Sequence, residues 1–192
     1  GLTITLDQTA PTVSGAPTLS SDDAINGYVN AGDVVSATVT MNEPVVVTGT
    51  PTLALNIGGT LVTASYVSGS GTTSIVFQYT IEAGQTDTDG ISVDADSIVL
   101  PTSESTITDI AGNAAALSHI AANADSNVTV DTTAPAHLIT TVDSSSKAIT
   151  LTYDSALDGT NLAQTASFNV TQNGELNAVD SISVSGDSVT II

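Results

Sequence analysis

Aspartate is the residue type in this chain with the greatest capacity for chemistry. The sequence has 20 acidic residues against one cation, Lys147. Short carboxylates in loops suit Ca²⁺, which takes six to eight oxygen ligands. Because Asp is also a common turn residue, ordinary acidic turns are the alternative explanation. The candidate Ca²⁺ ligands are the aspartates of predicted loops: Asp7, Asp22, Asp23, Asp33, Asp87, Asp89, Asp109 and Asp131.

Strand direction predicts where most of these aspartates converge. Successive strands of a β-sandwich mostly alternate direction, so every second loop falls at the same end. The loops at residues 20–33, 57–60 and 84–96 and the exit at Asp131 then share one end. The predicted cluster there is Asp22, Asp23, Asp33, Asp87, Asp89 and Asp131. Like charges repel, and a divalent cation would turn that repulsion into attraction. The end at which Asp109 lies depends on how residues 97–108 fold.

A repeated motif divides the chain into modules. Asp7-Gln8-Thr9-Ala10-Pro11 returns 124 positions later as Asp131-Thr132-Thr133-Ala134-Pro135. Proline has no backbone donor and favours an extended predecessor, so each copy predicts a break between strands. The prediction is a strand and joint of a preceding module at residues 1–9, a complete β-sandwich at 10–131, and part of a second sandwich at 132–192.

Composition and alternation predict an all-β fold: an Ig-like β-sandwich followed by a second, incomplete β-sandwich. Hydrophobic residues make up 41% and aromatic residues only 3%, so the core must consist of Val, Ile, Leu and Ala. Many short runs alternate β-branched residues with Thr or Ser. Gly58-Gly59, Asn173-Gly174 and Gly186-Asp187 predict hairpin turns. The run at residues 114–124 is Ala-rich and could form a helical turn. The last run, residues 189–192, predicts a strand that leaves an unpaired edge.

Several classes of function are disfavoured. With one cation the chain cannot neutralise phosphates, so nucleic acid is excluded as a partner, and an anionic membrane would repel it. No apolar run reaches the ~18 residues of a membrane span. Without cysteine there is no thiol chemistry, and the two histidines are too few for zinc. The chain has no Gly-x-Ser-x-Gly motif. We therefore expect no enzymatic activity.

The predicted module at residues 10–131 resembles the Ig-like tandem repeats of large bacterial surface adhesins exported by type I secretion. The resemblance rests on five stretches, at residues 28–33, 48–55, 83–91, 109–114 and 131–135. The predicted module at residues 132–192 resembles the first half of an SwmB-type repeat, through residues 149–162. The resemblance implies extracellular sandwiches strung end to end, with Ca²⁺ between modules.

Three functions follow as hypotheses. The first is a non-enzymatic structural segment of an adhesin or fibre at the bacterial surface, as in biofilms. Its partners would be neighbouring repeats, and other domains would reach a cell-surface or substratum ligand. The second is a self-assembling filament subunit, in which the strand from Leu2 to Leu6 completes the second module of an identical neighbour. The third is a carbohydrate- or peptide-binding module, which the scarcity of aromatic residues disfavours.

Overall fold

The computed structural model of the chain describes residues 6–22, 24–25, 27–125, 127–160 and 162–192. Contacts divide the chain into two compact units, Gly1–Thr133 (unit 1) and Ala134–Ile192 (unit 2). The described residues form strands and one short 3₁₀ turn, which confirms the all-β fold class. None of them belongs to a helix with the length and apolar character of a membrane span. Of the strand predicted at residues 2–6, only Leu6 lies within the described residues.

Unit 1 is built on one long strand. Its strands in chain order are β1 (Thr18–Ser20), β2 (Tyr28–Val29), β3 (Val34–Thr48), β4 (Thr52–Ile57), β5 (Thr60–Ser68), β6 (Thr72–Thr80), β7 (Thr86–Asp87), β8 (Ile98–Val99), β9 (Thr106–Thr108) and β10 (Thr129–Asp131). The larger sheet has the order β1-β3-β6-β5-β4-β8, and β9 also pairs with β3. The smaller sheet has the order β2-β10-β7, with β10 parallel to β2.

Strand β3 changes partner along its length. Its first half pairs antiparallel with β6, from Val34 opposite Thr80 to Thr40 opposite Ser74. The register then shifts, and its last residues pair with β9. Pro44 lies inside the shifted segment, where its missing N–H costs no regular ladder bond. We call the end of unit 1 at which the chain enters the leading end, and the end at which it leaves the trailing end. Strand β3 runs from the trailing end to the leading end.

The core of unit 1 follows from alternation. On β3, the buried apolar residues are spaced two positions apart, with one gap of four, because side chains alternate between the faces of a strand. These residues are Val35, Ala37, Val39, Met41, Val45 and Val47. They pack in one cluster with the inward residues of β4 and β6, including Leu53, Leu55, Ile75 and Phe77. Burying each large apolar side chain contributes about 1.5–3 kcal/mol, so this cluster is what holds the two sheets together.

Unit 2 is a four-stranded sheet with a separate hairpin. Its elements are β11 (His137–Asp143), β12 (Ala148–Tyr153), the 3₁₀ turn Thr165–Ser167, β13 (Val170–Gln172), β14 (Glu175–Asn177), β15 (Ile182–Ser185) and β16 (Ser188–Ile191). The sheet order is β11-β12-β16-β15, and β13 pairs only with β14. Ile149 lies opposite Ile191, and Leu151 opposite Val189, so one face is apolar. The alternate positions are Thr and Ser and form a polar face.

The structure corrects three expectations about elements. Residues 114–124 form no helix but an extended segment held by isolated bridges, such as Val93 with Ala122. The sequence predicts a single strand at residues 176–184, but this run is interrupted and contributes to two strands, β14 and β15. The last strand, β16, is not an open edge, because it lies between β12 and β15. The edges of this sheet are β11 and β15.

Candidate metal centre

The loop after β9 is folded around Asp109. Its backbone N–H donates to the carbonyl oxygen of Asn113, 3.0 Å away, and Gly112 adopts a left-handed φ of +95°. The Asp109 carboxylate accepts two hydrogen bonds from Asn113, one from the backbone N–H (2.8 Å) and one from the side-chain amide (2.6 Å). Asp, Asn and Gly are the residues that favour such a turn, because their side chains bond local backbone and Gly tolerates positive φ.

Asp109 is both buried and charged. Only 3% of its surface is exposed. Burial raises the pKa of Asp109, whereas hydrogen bonds from the side chain and backbone of Asn113 and from the N–H groups of Gly112 and Ala111 lower it. The net pKa lies below the usual aspartate value, so the group is an anion at neutral pH.

Two further carboxylates meet Asp109 at the leading end. Oxygen atoms of Asp7, Glu43 and Asp109 all lie within 4.8 Å of one another. The side-chain amide of Asn113 donates to the carbonyl oxygens of Asp7 (3.2 Å) and Thr9 (3.4 Å), which fastens the incoming chain to the Asp109 loop. We call Asp7, Glu43 and Asp109 the leading-end triad.

The sheet directs two members of the leading-end triad inward. Glu43 stands on β3 between the buried Met41 and Val45, at the same alternation as the core residues, and is itself partly buried. Asp109 follows the buried Ile107 by two residues, so it also continues an inward-facing row. The inward-facing row of β3 is therefore interrupted by a carboxylate, and that of its partner β9 ends in one.

The leading-end triad fits a hard divalent cation. Two oxygens bound to one Ca²⁺ at about 2.3–2.6 Å are separated by no more than about 5 Å. Separations within 4.8 Å meet that condition for all three carboxylates. Three like charges in one partly buried place are otherwise unfavourable, because each carboxylate disfavours ionisation of the others. Carbonyl oxygens and water would complete a Ca²⁺ shell, whereas the ligand set lacks the His and Cys typical of zinc.

Two of the aspartates predicted as ligands at the trailing end, Asp33 and Asp87, accept hydrogen bonds from backbone N–H groups. Asp87 is 4% exposed, and its carboxylate accepts N–H bonds from Gly58 (2.7 Å), Gly90 (2.9 Å) and Asp89 (3.3 Å). It therefore fastens the β4–β5 hairpin to the loop at residues 87–90. Asp33 accepts the N–H of Asn30 at 2.7 Å.

The remaining predicted ligands are exposed or lie outside the description. Asp22 and Asp89 are exposed, and Asp23 lies outside the described residues. Among the described residues, Asp22, Asp33, Asp87, Asp89 and Asp131 do not belong to any group of three acidic residues whose carboxylate oxygens lie within 4.8 Å of one another. Ca²⁺ binding by them stays a prediction.

The two copies of the joint motif fold alike. The Asp7 carboxylate accepts the N–H of Thr9 at 3.0 Å, and the Asp131 carboxylate accepts the N–H of Thr133 at 2.9 Å. Each motif is thus an aspartate turn before a proline. At the leading end this turn brings Asp7 against Glu43 and Asp109.

Comparison with known families concerns the second part of the chain. Residues 130–192, 63 of the 192, match the SWM repeat, a family described as "Putative flagellar system-associated repeat". This match confirms the SwmB-type resemblance predicted for the second module. No curated protein and no solved structure matches the chain. The resemblance of residues 10–131 to Ig-like adhesin repeats stays a prediction.

Proposed function

We propose that the chain is a non-enzymatic structural segment of a bacterial surface or fibre protein, and that Ca²⁺ bound at the leading-end triad makes its first unit rigid. The observation that carries this proposal is the leading-end triad itself: three carboxylates within 4.8 Å, two of them at core-facing positions. The repeat match at residues 130–192 supports a segment of a repetitive protein. The net charge of −19 favours binding of divalent cations from the surroundings.

The proposed location is extracellular. Extracellular Ca²⁺ modules bind at about 10⁻⁴–10⁻³ M, so such a site fills outside a cell and stays empty in cytosol. Ca²⁺ would join the incoming chain, through Asp7, to β3 and to the loop after β9. The proposed partners are neighbouring repeats, and any cell-surface or substratum ligand would bind to other domains of a longer protein.

Thermal unfolding with and without chelator tests the proposal. Because Ca²⁺ binds only the folded form, 2 mM CaCl₂ should raise the Tm of unit 1 above its value in EGTA by roughly 2–8 °C. Glu43→Gln should abolish the difference. Glu104→Gln, which neutralises an exposed glutamate outside the leading-end triad, is the matched control and should retain the difference in Tm between Ca²⁺ and EGTA. Equal melting of the wild-type chain in Ca²⁺ and EGTA would overturn the proposal.

Head-to-tail assembly is a second candidate function, favoured by the exposed edge of unit 2. Strand β11 is exposed along its whole length, including Leu138 (63%), Ile139 (55%) and Val142 (71%). A long apolar edge offers unpaired backbone groups to another strand. The candidate donor is the run at residues 2–6 of an identical chain, which alternates Leu, Thr, Ile, Thr and Leu.

Sedimentation velocity over a wide concentration range tests this assembly. Head-to-tail assembly predicts oligomers that grow with concentration and that are absent in the Ile139→Lys variant. Leu176→Lys, on the β13–β14 hairpin, changes a leucine that is even more exposed (72%) but lies away from that edge, and it should leave the oligomers intact. A wild-type chain that remains monomeric at every concentration would contradict assembly without affecting the Ca²⁺ proposal.

A further inference from the structure

The first and last segments of unit 1 are each tied to the body of the unit on two sides. At the leading end, the N–H of Ser14 donates to Thr40 (2.7 Å) and the N–H of Asn42 to Thr12 (2.9 Å). The Asn42 side chain accepts the N–H of Thr12 at 2.7 Å. On the other side, the N–H of Ala116 donates to Pro11 at 2.8 Å.

The last segment is held in the same manner at the trailing end. Strand β10 lies between β2, to which it is parallel, and β7, to which it is antiparallel. The N–H and the hydroxyl of Thr129 both donate to the Gly27 carbonyl, at 3.0 and 2.8 Å. The Thr132 hydroxyl donates to Gln85 (2.9 Å) and accepts the N–H of Gly84 (2.9 Å).

Tension along the chain would load these bonds in shear. The segment at residues 11–14 runs antiparallel to β3 and enters at the leading end, whereas β10 leads out at the trailing end. Forces on the two ends would therefore pull each segment along its own axis. Ladder hydrogen bonds stand across the strand, so this direction strains all bonds of a segment together instead of opening them in turn.

We propose that these two segments form a mechanical clamp, which makes unit 1 resist stretching much more than it resists peeling from one end. The proposal rests on the proposed function, because only a structural segment of a surface fibre bears tension along its chain. Thr132 is the central residue of the clamp at the trailing end, since its one hydroxyl ties the outgoing chain to the loop at residues 84–85.

Single-molecule stretching of the full chain tests the clamp. The chain has no cysteine, so pairs of introduced cysteines can carry the handles. Gln8→Cys with Thr133→Cys applies force lengthwise and leaves unit 2 outside the loaded path. Thr60→Cys with Thr133→Cys applies force at the trailing end alone, because Thr60 closes the hairpin that Asp87 fastens there. Unit 1 should unfold at a clearly higher force in the lengthwise geometry.

Thr132→Val supplies the residue-level test. Under lengthwise force it should speed unfolding of unit 1 roughly 5–30-fold, the effect of losing two ordinary hydrogen bonds. Thr72→Val is the matched control, because the Thr72 hydroxyl also donates (Gly69, 2.8 Å) and accepts (Ser74, 3.1 Å), but within the β5–β6 turn. It should change the lengthwise rate less than about twofold.

Two results would overturn the clamp: equal unfolding forces in both geometries, or equal effects of the two valine substitutions. The measurements are made in EGTA as well as in Ca²⁺, and a clamp that persists in EGTA stands even where the melting experiment rejects the leading-end triad as a Ca²⁺ site.

Discussion

Glu43 and Asp109 differ from most of the other described acids in the direction in which their strands place them. Most of the aspartates stand in turns, where a carboxylate bonds local N–H groups and faces water. Glu43 instead interrupts the inward-facing row of β3 between Met41 and Val45. An inward carboxylate without a cation is unfavourable, which makes it a better sign of a site than the number of aspartates.

That sign was present in the sequence. Val35, Ala37, Val39, Met41, Val45 and Val47 alternate without a break except at position 43. The ligands predicted from the sequence are all aspartates in loops and do not include Glu43. The end at which Asp109 lies does not follow from the sequence either, because β8 and β9 do not pair with each other but with β4 and β3. Such long-range pairing leaves no mark on local alternation.

Asn113→Ala tests how Asp109 is held. It removes the side-chain donor that lowers the pKa of Asp109, so the folded-state pKa should rise. A lowered aspartate pKa stabilises the fold above the unfolded value of about 3.9, and this contribution disappears as pH falls through the folded value. Acid unfolding of the variant, followed by circular dichroism, should therefore begin at higher pH. Asn127→Ala, which removes a similar amide from Asp125, is the control and should leave the midpoint in place.

Asp143 provides a second titration test, in unit 2. Hydrogen bonds from the hydroxyls of Ser145 and Ser146 and the backbone N–H of Ser145 lower the pKa of Asp143 to about 2. Replacing both serines with alanine should raise it towards the usual ~3.9, measured by carboxyl carbon NMR. Ser144→Ala is the control. The stabilising contribution of Asp143 is complete above pH ~4 and disappears only as pH falls through about 2.

The turn of the hairpin between β4 and β5 is predicted by local sequence but also contacts a part of the chain that is distant in sequence. Gly58-Gly59 predicts a tight turn, and both residues have positive φ, +55° and +85°. The Gly58 N–H also donates to Asp87, 29 residues away. A Cβ on Gly58 would collide with the Thr86 carbonyl oxygen, whereas a Cβ on Gly59 would meet nothing within 4 Å.

The two glycines therefore predict unequal costs. Gly59→Ala should lower the free energy of unfolding by about 1 kcal/mol, the penalty for a left-handed non-glycine residue. Gly58→Ala should cost at least about 2 kcal/mol more, because the hairpin must also move away from Thr86. Urea denaturation of both variants measures the difference. Equal costs would show that the contact between this hairpin and the loop at residues 84–90 is not tight.

The alternation of apolar and polar residues predicts the presence of strands better than it predicts their ends or their pairing partners. The sequence predicts strands at residues 52–57 and 148–153, and the structure has strands with these bounds, Thr52–Ile57 and Ala148–Tyr153. In residues 176–184, every second position from Leu176 is apolar except Asp180, and this single exception does not by itself show that the chain passes from the hairpin to the main sheet. Likewise, β16 ends the sequence but lies inside the sheet, because strand order is set by long-range pairing.

For the whole molecule, the excess of negative charge raises the question of whether any cation would stabilise it. Monovalent salt screens repulsion among surface charges in general. A cage of carboxylates prefers Ca²⁺, because Mg²⁺ is smaller and keeps several waters. At matched ionic strength, the Tm of the chain should therefore rise most in CaCl₂, less in MgCl₂ and least in NaCl. Equal shifts in the three salts would show that screening, and not a site, stabilises the fold.

The most direct test of the leading-end triad is a Ca²⁺ titration of the ¹⁵N-labelled chain followed by NMR. The backbone N–H of Asp109 and the side-chain amide of Asn113 bond within the loop that carries the Asp109 carboxylate, so their signals report on the site. Both signals should shift along saturable curves with a Kd of about 10⁻⁴–10⁻³ M, and Glu43→Gln should remove the shifts. Signals that stay in place up to 10 mM Ca²⁺, while the chain remains folded, would contradict Ca²⁺ binding at the leading-end triad.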